Sequence, residues 1–373
     1  MVVKTVTTIV KRAQELSETD RKAWAELRLS NPRTYSPYFH FDYTLLISEL
    51  RDDVYVACVY KGETPIGFLP YQGQRFARPV GAPMTDYHGF ICNTDDIAPL
   101  DIIKATDVGA FHFSSAVNAS MHGFAQSEDD GVLMNIEKGA EAWRKERDSS
   151  YRRHLKSNRR RIRKASEDIG APRFEWLSTD QAVFDQLIAW KKQKFSETGK
   201  YDVLSADWTM KLLETLWSRQ NQDLRCDMHA LYFGDRLAAV DLGLSDGNTF
   251  HSWIVAYDGE LHSYAPGIQL LEALIDASEN ISYTKIDLGA GTDGYKRHYA
   301  SEEVKVCGGF IAAQGSAAAL SNLYNKAENF GQKALKDAPG KLRRRYSQIA
   351  ACEDSVSGRA KAMLGAVASS RRS

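Results

Sequence analysis

Three polar side chains follow a glycine-rich turn in the second half of the chain. Residues 283–288 form a predicted strand that runs into the turn Gly289–Gly294, and Tyr295, Lys296 and Arg297 come directly after it. Arg and Lys donate hydrogen bonds to anionic oxygens, and Tyr packs against sugar rings. Polar loops at strand ends commonly hold the chemistry of α/β proteins. We therefore expect these three residues to bind an anionic or polyhydroxyl substrate.

A predicted helix precedes this strand and opens on Pro266-Gly267. Proline costs little at the first helical position, because its missing N–H would be unpaired there. Ile268, Leu271 and Leu274 then recur at helical spacing, which predicts one buried face. Helix N-termini attract anions, so Gly267 and the N–H groups after it form a candidate phosphate site.

The glycine-rich turn also matches the Gly-x-Gly-x-x-Gly pattern of dinucleotide-binding folds. That fingerprint needs a helix after the last glycine and an acidic residue about twenty positions further on. Here the strand-like run 304–306 follows Gly294 too soon for a helix, and no acid lies near position 310. The sequence therefore argues against a dinucleotide site.

The elements around this region have counterparts earlier in the chain. Alternating and β-branched runs predict hairpins over 54–70 and 228–244, and the second is followed by a predicted strand over 249–257. Residues 10–30 are predicted to be helical. The matching hairpins suggest a duplicated lobe. We therefore expect an α/β (α+β) protein with two lobes, each a mixed, mostly antiparallel sheet flanked by helices.

Charge is segregated along the chain, although the net charge is zero. Residues 1–140 and 171–315 are acidic overall, and we expect them to form the N-terminal and C-terminal lobes. Residues 141–170 are basic and predict a connecting helix, and residues 316–373 predict an amphipathic helix followed by a basic tail. This pattern indicates either an anionic partner for the basic segments or attraction between the parts of one protein.

Arginines are concentrated in these two basic segments. In the connecting helix, a seam at heptad-like spacing can pack on a lobe while the other faces are cationic. The seam is Tyr151, Leu155, Asn158, Ile162 and Ala165, and the candidate anion-binding side chains are Arg152, Arg153, Arg159, Arg160, Arg343, Arg344 and Arg345. Like charges repel on an isolated helix, so the connecting helix needs acidic neighbours or a polyanion. Arginine forks in the tail suit phosphates of an anionic membrane surface or a signalling nucleotide such as a cyclic dinucleotide, although a solvated charge run explains the same pattern.

Another polar cluster, Asp86-Tyr87-His88, lies between turn-forming residues in the first half of the chain. A loop can present this carboxylate, phenol and imidazole together, which makes them candidate substrate-binding residues. Asp86 also suits the cap of a turn.

Composition bounds the compartment and the metal chemistry. The five cysteines are scattered and form no Cys-x-x-Cys pair, so neither a disulfide framework nor a zinc site is predicted. No apolar stretch reaches the length of a membrane span. We expect a metal-free cytoplasmic protein that can also touch the inner membrane peripherally.

Four of these features together resemble the FemAB-like, CelD-type branch of the GNAT acyltransferase superfamily, over roughly residues 35–310. They are the basic helix around Leu155–Arg160, the hairpin ending Leu237–Val240, the helix start Ala265-Pro266-Gly267, and Ile286–Gly289 running on to Tyr295-Lys296-Arg297. The first-lobe pair Asp86-Tyr87 is similar to the family as well. The resemblance implies two GNAT-like lobes and acyl transfer onto an amine or hydroxyl of a sugar.

The resemblance further implies acyl-CoA, such as acetyl-CoA, as the acyl donor. An amine acceptor must lose a proton before it attacks a thioester, and Asp241, His251 and Asp287 on adjacent predicted strands are the candidate bases. Backbone N–H groups of the strand 251–257 would stabilise the tetrahedral oxyanion. The candidate donor-binding residues are Trp253, Ile254, Val255, Gly267, Ile268 and Gln269. Asp287 can instead cap the glycine turn and His251 can be a hydrogen-bonded core histidine, so the base is left open.

The leading expectation is an N-acyltransferase that moves an acyl group from acyl-CoA to a sugar amine in exopolysaccharide or cell-envelope glycan synthesis. Its partners would be a glycan or lipid-linked sugar and the exopolysaccharide machinery. Two alternatives stay open. The basic run 152–164 also suits an aminoacyl-tRNA-dependent transferase of peptidoglycan type, tRNA being the one nucleic acid expected. The superfamily's pyrophosphate loop is only partly kept, with Tyr264 and Gln269 at its flanking positions, which suits a catalytically reduced regulatory protein that binds a nucleotide effector through its basic tail.

Overall fold

The chain folds into strands and helices that alternate along its whole described length. The computed structural model describes residues 6–93, 97–220, 222–292, 294–335, 338–353 and 357–363, without the side chains of 329–335, 338–342 and 344. The strands are β1 (Val6–Lys11), β2 (Val54–Lys61), β3 (Thr64–Gln72), β4 (Phe76–Pro79), β5 (Ile91–Cys92), β6 (Ala110–Ala116), β7 (Ala125–Asn135), β8 (Pro172–Glu175), β9 (Leu224–Phe233), β10 (Arg236–Asp246), β11 (Thr249–Tyr257), β12 (Lys285–Ala290) and β13 (Glu302–Ala312). The helices are α1 (Glu18–Ser30), α2 (Phe41–Leu50), α3 (Pro99–Lys104), α4 (Ala140–Lys145), α5 (Ser149–Asp168), α6 (Gln181–Glu197), α7 (Asp207–Ser218), α8 (Pro266–Ala277), α9 (Gly315–Leu335) and α10 (Ala338–Cys352).

Local sequence signals explain where several of these elements begin and turn. Ser17 caps α1 by accepting a hydrogen bond from the Asp20 N–H at 3.2 Å, and the Asp20 carboxylate accepts from the Ser17 N–H at 3.1 Å. Asp148 caps α5 by accepting from the Tyr151 N–H at 2.9 Å. The predicted hairpins are β2–β3 and β9–β10, and their turns place Gly62 and Gly234 at φ 67° and 58°, where glycine is favoured.

The predicted helix over residues 10–30 is wrong at its N-terminal end. Val6–Lys11 forms strand β1, which pairs antiparallel with β2, and α1 begins only at Glu18. The run Val6–Val10 is rich in β-branched residues, which favour strands. Pairing with β2 therefore decides the conformation of this segment.

The chain divides into two compact units. Unit 1 consists of Met1–Asp129, Gly199–Leu212 and Lys305–Ser373, and unit 2 consists of Asp130–Thr198 and Leu213–Val304. In unit 1 the strand order is β1-β2-β3-β4-β6-β13, with β5 beside β3. The β4–β6 pair is parallel and the other described pairs of this unit are antiparallel. Its core includes Val59, Leu69, Ile103, Phe111 and Ile311.

Unit 2 repeats this sheet architecture. Its strand order is β7-β12-β11-β10-β9-β8, in which β11 and β12 are parallel and the other described pairs are antiparallel. Helix α8 packs on β9, β10 and β11, and α6 packs on β10 and β11. The core around α8 includes Phe250, Leu271, Leu274, Ile275 and Ile286. The predicted α/β class, with two lobes of mixed and mostly antiparallel sheet flanked by helices, is confirmed; the predicted boundaries at 140, 170 and 315 stay a prediction.

The C-terminal part of unit 1 is helical, as expected, and three apolar side chains of α9 are exposed. Leu320, Leu323 and Tyr324 on α9 are 53%, 64% and 44% exposed, whereas Ala317 and Ser321 are buried. Arg343 pairs with Glu328, the side chain of Arg344 lies outside the described residues, and Arg345 donates to the carbonyl of Gly199. Within the described ranges, no helix is both long and apolar enough to cross a membrane.

Candidate active site

The parallel strands β11 and β12 pair over only part of their length. Their pairing runs from Thr249 with Lys285 to His251 with Asp287, and β11 continues to Tyr257 beyond that point. A bulge in β11 leaves Trp253 without a register partner on β10. The second half of β11 therefore presents backbone N–H and C=O groups that β12 does not pair.

The bulge depends on a glycine on the neighbouring strand. A Cβ added at Gly243 would lie 2.2 Å from the ring of Phe250 and 2.7 Å from the carbonyl oxygen of His251. No rotamer removes a clash with backbone, so this position excludes any side chain. Gly243 thus allows β10 and β11 to approach at the point where the register shifts.

Helix α8 begins beside this second half of β11. A Cβ at Gly267 would lie 3.8 Å from the Tyr257 ring and 3.9 Å from a methyl group of Val255, which is ordinary contact. Ala265 precedes the helix with φ 52° and ψ 54°, a left-handed conformation that strains a residue with a side chain. The N-terminus of α8 therefore lies beside the segment of β11 that β12 does not pair, and these two elements define the candidate donor recess of unit 2.

The start of α8 offers fewer free donors than the sequence suggested. The N–H groups of Ile268 and Gln269 both donate to the carbonyl of Ala265, at 3.0 and 3.1 Å. The side chain of Gln269 is buried and donates to the carbonyl of Asn158 at 3.0 Å. In the described part of the chain, the N–H of Gly267 is left without an acceptor, so Gly267 is the donor that the helix start can give to an anion.

The three candidate bases are divided between the two faces of the sheet. Cross-strand partners point to the same face, and successive residues point to opposite faces. Asp241 pairs with Val255, so it points to the face on which α8 begins. His251 pairs with Leu244 on β10 and with Asp287 on β12. Leu244 lies an odd number of residues after Asp241 on the same strand, so Leu244 and Asp241 point to opposite faces. His251 and Asp287 therefore share the opposite face.

On that opposite face, the side chains of His251 and Asp287 lie beside each other, and Asp287 also accepts a hydrogen bond from the glycine-rich turn. The Nδ1 of His251 lies 3.6 Å from Oδ1 of Asp287, and both side chains are fully buried. The same Asp287 oxygen accepts from the N–H of Gly289 at 2.7 Å. Asp287 thus caps the start of the glycine-rich turn. This capping role is the alternative to a catalytic role that the sequence left open.

Asp241 has a different environment. Its Oδ2 accepts from the Ser252 hydroxyl at 2.8 Å, while Oδ1 is buried and has no hydrogen-bond partner among the described residues. Burial raises the pKa of Asp241 to about 7, against the smaller opposing effects of Ser252, His251 and Lys191. A carboxyl group with this pKa exchanges protons near neutral pH, which is what a general base needs.

The polar turn after β12 supplies a neighbour to Asp241. Burial, and then the charge of Asp241, raise the pKa of Tyr295 to about 12, so the two side chains are electrostatically coupled. Lys296 donates to the carbonyl of Leu288 at 2.6 Å, and Arg297 is exposed. Tyr295 is 37% exposed and joins the surface to the buried carboxyl.

A buried carboxylate that sequence reasoning missed fixes this turn. Oε1 of Glu272 accepts from the Tyr299 hydroxyl at 2.8 Å, and Oε2 accepts from the Tyr151 hydroxyl at 3.0 Å. Arg144 adds an ion pair to Glu272 at 3.3 Å, and His154 lies 3.1 Å from the Tyr299 hydroxyl. Glu272 therefore ties α8 to α5 and to the turn that carries Tyr295. The available signal was an acid on the apolar face of a predicted helix.

Helix α5 divides as the sequence predicted. Tyr151, Asn158 and Ala165 of the seam are buried, and Leu155 and Ile162 are partly buried. The side chains of Arg152, Arg153, Arg159 and Arg160 are exposed. Across the described residues none of these four makes an ion pair; Arg163, further along the helix, lies 3.9 Å from Glu167. Arg152, Arg153, Arg159 and Arg160 therefore form a cationic surface with no ion-pair partner among the described residues.

The cluster Asp86-Tyr87-His88 lies in unit 1 and is mostly enclosed. Tyr87 and His88 are buried, and Asp86 is partly buried. Burial lowers the pKa of His88 to about 3, so its ring is neutral. The ring packs edge-on against Phe111 at 6.2 Å. Asp86 is the member of the three that retains access to solvent. Over the described ranges, no group of His, Cys, Asp and Glu is arranged to hold a metal ion.

The fold and recess of unit 2 have a counterpart among known families. Residues 149–297 match a family model described as an acetyltransferase (GNAT) domain. The matched segment contains Asp241, Ser252, Gly267 and Tyr295. The match supports the predicted GNAT superfamily for this part of the chain; the FemAB-like, CelD-type branch stays a prediction.

Solved structures show the same architecture at low identity. The chain is similar to FemX, with a TM-score of 0.54 and 10% identity over 85% of this chain and 99% of that one. It is also similar to a tandem GNAT protein from the clavulanic acid biosynthesis pathway, with a TM-score of 0.45 and 8% identity over 84% and 100% of the two chains. The likeness to FemX concerns the fold alone. No curated protein sequence matches the chain.

Proposed function

We propose that the chain is an N-acyltransferase that moves an acyl group from acyl-CoA to the amine of a sugar in exopolysaccharide or cell-envelope glycan synthesis. One observation carries the proposal. Asp241, a buried carboxyl with pKa about 7, points to the face of the sheet on which α8 begins, next to the half of β11 that β12 does not pair. A base and a set of backbone donors on one side of a sheet are what acyl transfer to an amine requires.

The donor side of this proposal rests on β11 and α8. The pantetheine arm would lie beside Trp253, along the segment that β12 does not pair. One phosphate would accept from the N–H of Gly267, assisted by the positive end of the helix dipole. Because Ile268 and Gln269 give their N–H groups to Ala265, we propose a weaker hold on the diphosphate than a full loop of donors would give.

The chemical steps follow from the position of Asp241. Its carboxylate accepts a proton from the acceptor ammonium, and the free amine attacks the thioester carbonyl. Backbone N–H groups of β11 stabilise the oxyanion. The C–S bond then breaks, the nitrogen loses its second proton as the neutral amide forms, and the leaving thiolate takes up one proton to give the free thiol. Tyr295 and Arg297 would contact the sugar at the mouth of the recess.

Thiol release tests the proposal directly. Acetyl-CoA with glucosamine, or with a deacetylated oligosaccharide, should yield free coenzyme A at a rate that Asp241→Asn lowers strongly. Asp235→Asn is the matched control, because it removes an exposed carboxylate from the preceding hairpin turn. Gly267→Ala should fold normally and weaken the donor KM, since its Cβ meets only ordinary contacts but crowds the phosphate. No thiol release and no thermal shift with any acyl-CoA would refute it.

The cationic side of α5 favours one second candidate, an aminoacyl-tRNA-dependent transferase. Its arginines lie on the GNAT domain and lack counter-ions among the described residues. Binding to tRNA would weaken steeply with salt, and replacing Arg152, Arg153, Arg159 and Arg160 with Gln would reduce the salt slope by about one unit for each phosphate that is no longer neutralised. Turnover that survives ribonuclease treatment would exclude this candidate.

A further inference from the structure

Arg78, on strand β4 of unit 1, has an unusual environment for a guanidinium group. Its Nε is buried and has no hydrogen-bond partner, and within the described residues no side chain forms an ion pair with it. Burial lowers the pKa of Arg78, because removing a charge from water is unfavourable. Arg78 is half-buried, and a charge that is partly removed from water without an ion-pair partner among the described residues is costly.

The carboxylate of Asp53, whose charge acts on Arg78, already accepts other hydrogen bonds. Arg78 pairs in register with Gln72 on β3, so their side chains share a face of the sheet. Gln72 donates to Oδ2 of Asp53 at 3.4 Å, and Nε of Arg51 donates to Oδ1 at 3.0 Å. Asp53 therefore forms hydrogen bonds with Arg51 and Gln72, and it acts on Arg78 only through its charge.

Further positive charge acts on the same place. Although Asp53 opposes the effect, the charges of Arg51 and Arg359 help burial to lower the pKa of Arg78. Arg359 follows α10, and its Nε donates to the carbonyl of Glu353 at 2.7 Å. The segment after α10 thus contributes a guanidinium to a cluster that β4 and the C-terminal end of α2 also supply.

We propose that Arg78, with Arg51 and Arg359, binds the phosphate group of a small metabolite in unit 1. Several guanidinium groups around one point can each donate to a different oxygen of a phosphate, whereas a carboxylate offers two oxygens only. The site is separate in its residues from the acyl-transfer recess of unit 2, and it does not depend on the proposed activity. It gives the basic C-terminal segment a ligand through Arg359.

The test is isothermal titration of the full chain with inorganic phosphate and with pyrophosphate. The wild type should bind in the millimolar range or tighter, and Arg78→Gln should lose at least about tenfold in affinity. Arg78→Lys keeps the positive charge but lacks the forked guanidinium group, so it should lose less affinity for phosphate than Arg78→Gln. Arg75→Gln is the matched control, because it removes an exposed arginine three residues earlier.

Thermal unfolding gives a second readout. Phosphate should raise the melting temperature of the wild type and of Arg75→Gln, but not that of Arg78→Gln. Without phosphate, Arg78→Gln should be at least as stable as the wild type, because it removes an unpaired charge. The proposal is overturned if the wild type binds neither probe up to about ten millimolar, if acetate binds as tightly as phosphate, or if Arg78→Gln binds like the wild type.

Discussion

Asp241 and Asp287 are both buried in the sheet of unit 2, on strands separated only by β11, and they differ in how their oxygens are used. Asp287 accepts from the Gly289 N–H and lies 3.6 Å from His251. Asp241 accepts one hydroxyl hydrogen bond and keeps a buried oxygen without a described partner. A carboxylate that accepts from the N–H of its own turn holds that turn in place, whereas one with a buried oxygen that lacks a described partner is available for a proton. Asp287 therefore has a structural role in the sheet, and Asp241 is the candidate for the chemical role.

The largest effect expected from this difference is on turnover. Asp241→Asn should lower kcat/KM by about 10² to 10⁴, because it removes the general base and keeps the shape of the side chain. Asp287→Asn keeps an oxygen that can accept from Gly289, so its kcat/KM should fall far less. The measurement is thiol release under matched substrate conditions. The reverse ranking of the two variants would exchange the roles assigned here.

The pH dependence of stability should separate the two acids next. The pKa of Asp241 rises from 3.8 to about 7 on folding. The folded state then binds a proton more tightly than the unfolded state, so this stabilisation is complete below pH 4 and is lost as pH rises through 7. The loss is on the order of 4 kcal/mol. In urea unfolding, the free energy of unfolding should fall less between pH 5 and pH 8 for Asp241→Asn than for the wild type. At pH 8 the free energy of unfolding of this variant should exceed that of the wild type.

Asp287 should matter more for folding than for pH. Asp287→Ala leaves the buried N–H of Gly289 without its acceptor and removes the neighbour of His251. The free energy of unfolding should fall by about 1–3 kcal/mol, the cost of an unsatisfied buried group. Urea denaturation at pH 8 checks this, with Asp235→Ala as the exposed control. An unchanged midpoint would show that the cap contributes nothing.

The smallest effect concerns the entrance to the recess. Ala265 holds a left-handed conformation at φ 52°, which glycine adopts without strain. Ala265→Gly should therefore raise the free energy of unfolding by up to about 1 kcal/mol, with thiol release retained. A clear loss of stability would mean that the methyl group has a packing role that outweighs the strain.

Much of the scaffold was predictable from the sequence because its strands, turns and helix starts depend on residues that are close together in the chain. The hairpins, the strand Thr249–Tyr257 and the helix start at Pro266 follow from alternation and turn residues, and the structure has them. The glycine-rich turn is followed before β13 by a short 3-10 helix, Lys296–His298, and not by the α-helix that the dinucleotide fingerprint requires. Strand β1 was missed because its partner, β2, is distant in sequence.

The site was harder to predict because it depends on register. The bulge at Trp253 and the odd spacing between Asp241 and Leu244 decide which acid shares a face with α8. Neither feature is visible without the pairing. Glu272 was overlooked because its three partners come from segments far apart in the chain. Tyr87 and His88 were expected in an open loop, and both are buried.

The most direct test of the account is the titration of the Asp241 carboxyl itself. In ¹³C spectra of aspartate-labelled protein, the signal that disappears in Asp241→Asn identifies this group, whatever the substrate is. The account predicts a midpoint near pH 7, while the other carboxyl groups shift at lower pH. A midpoint below about pH 5, close to the ordinary aspartate value, would contradict the assignment of Asp241 as the base.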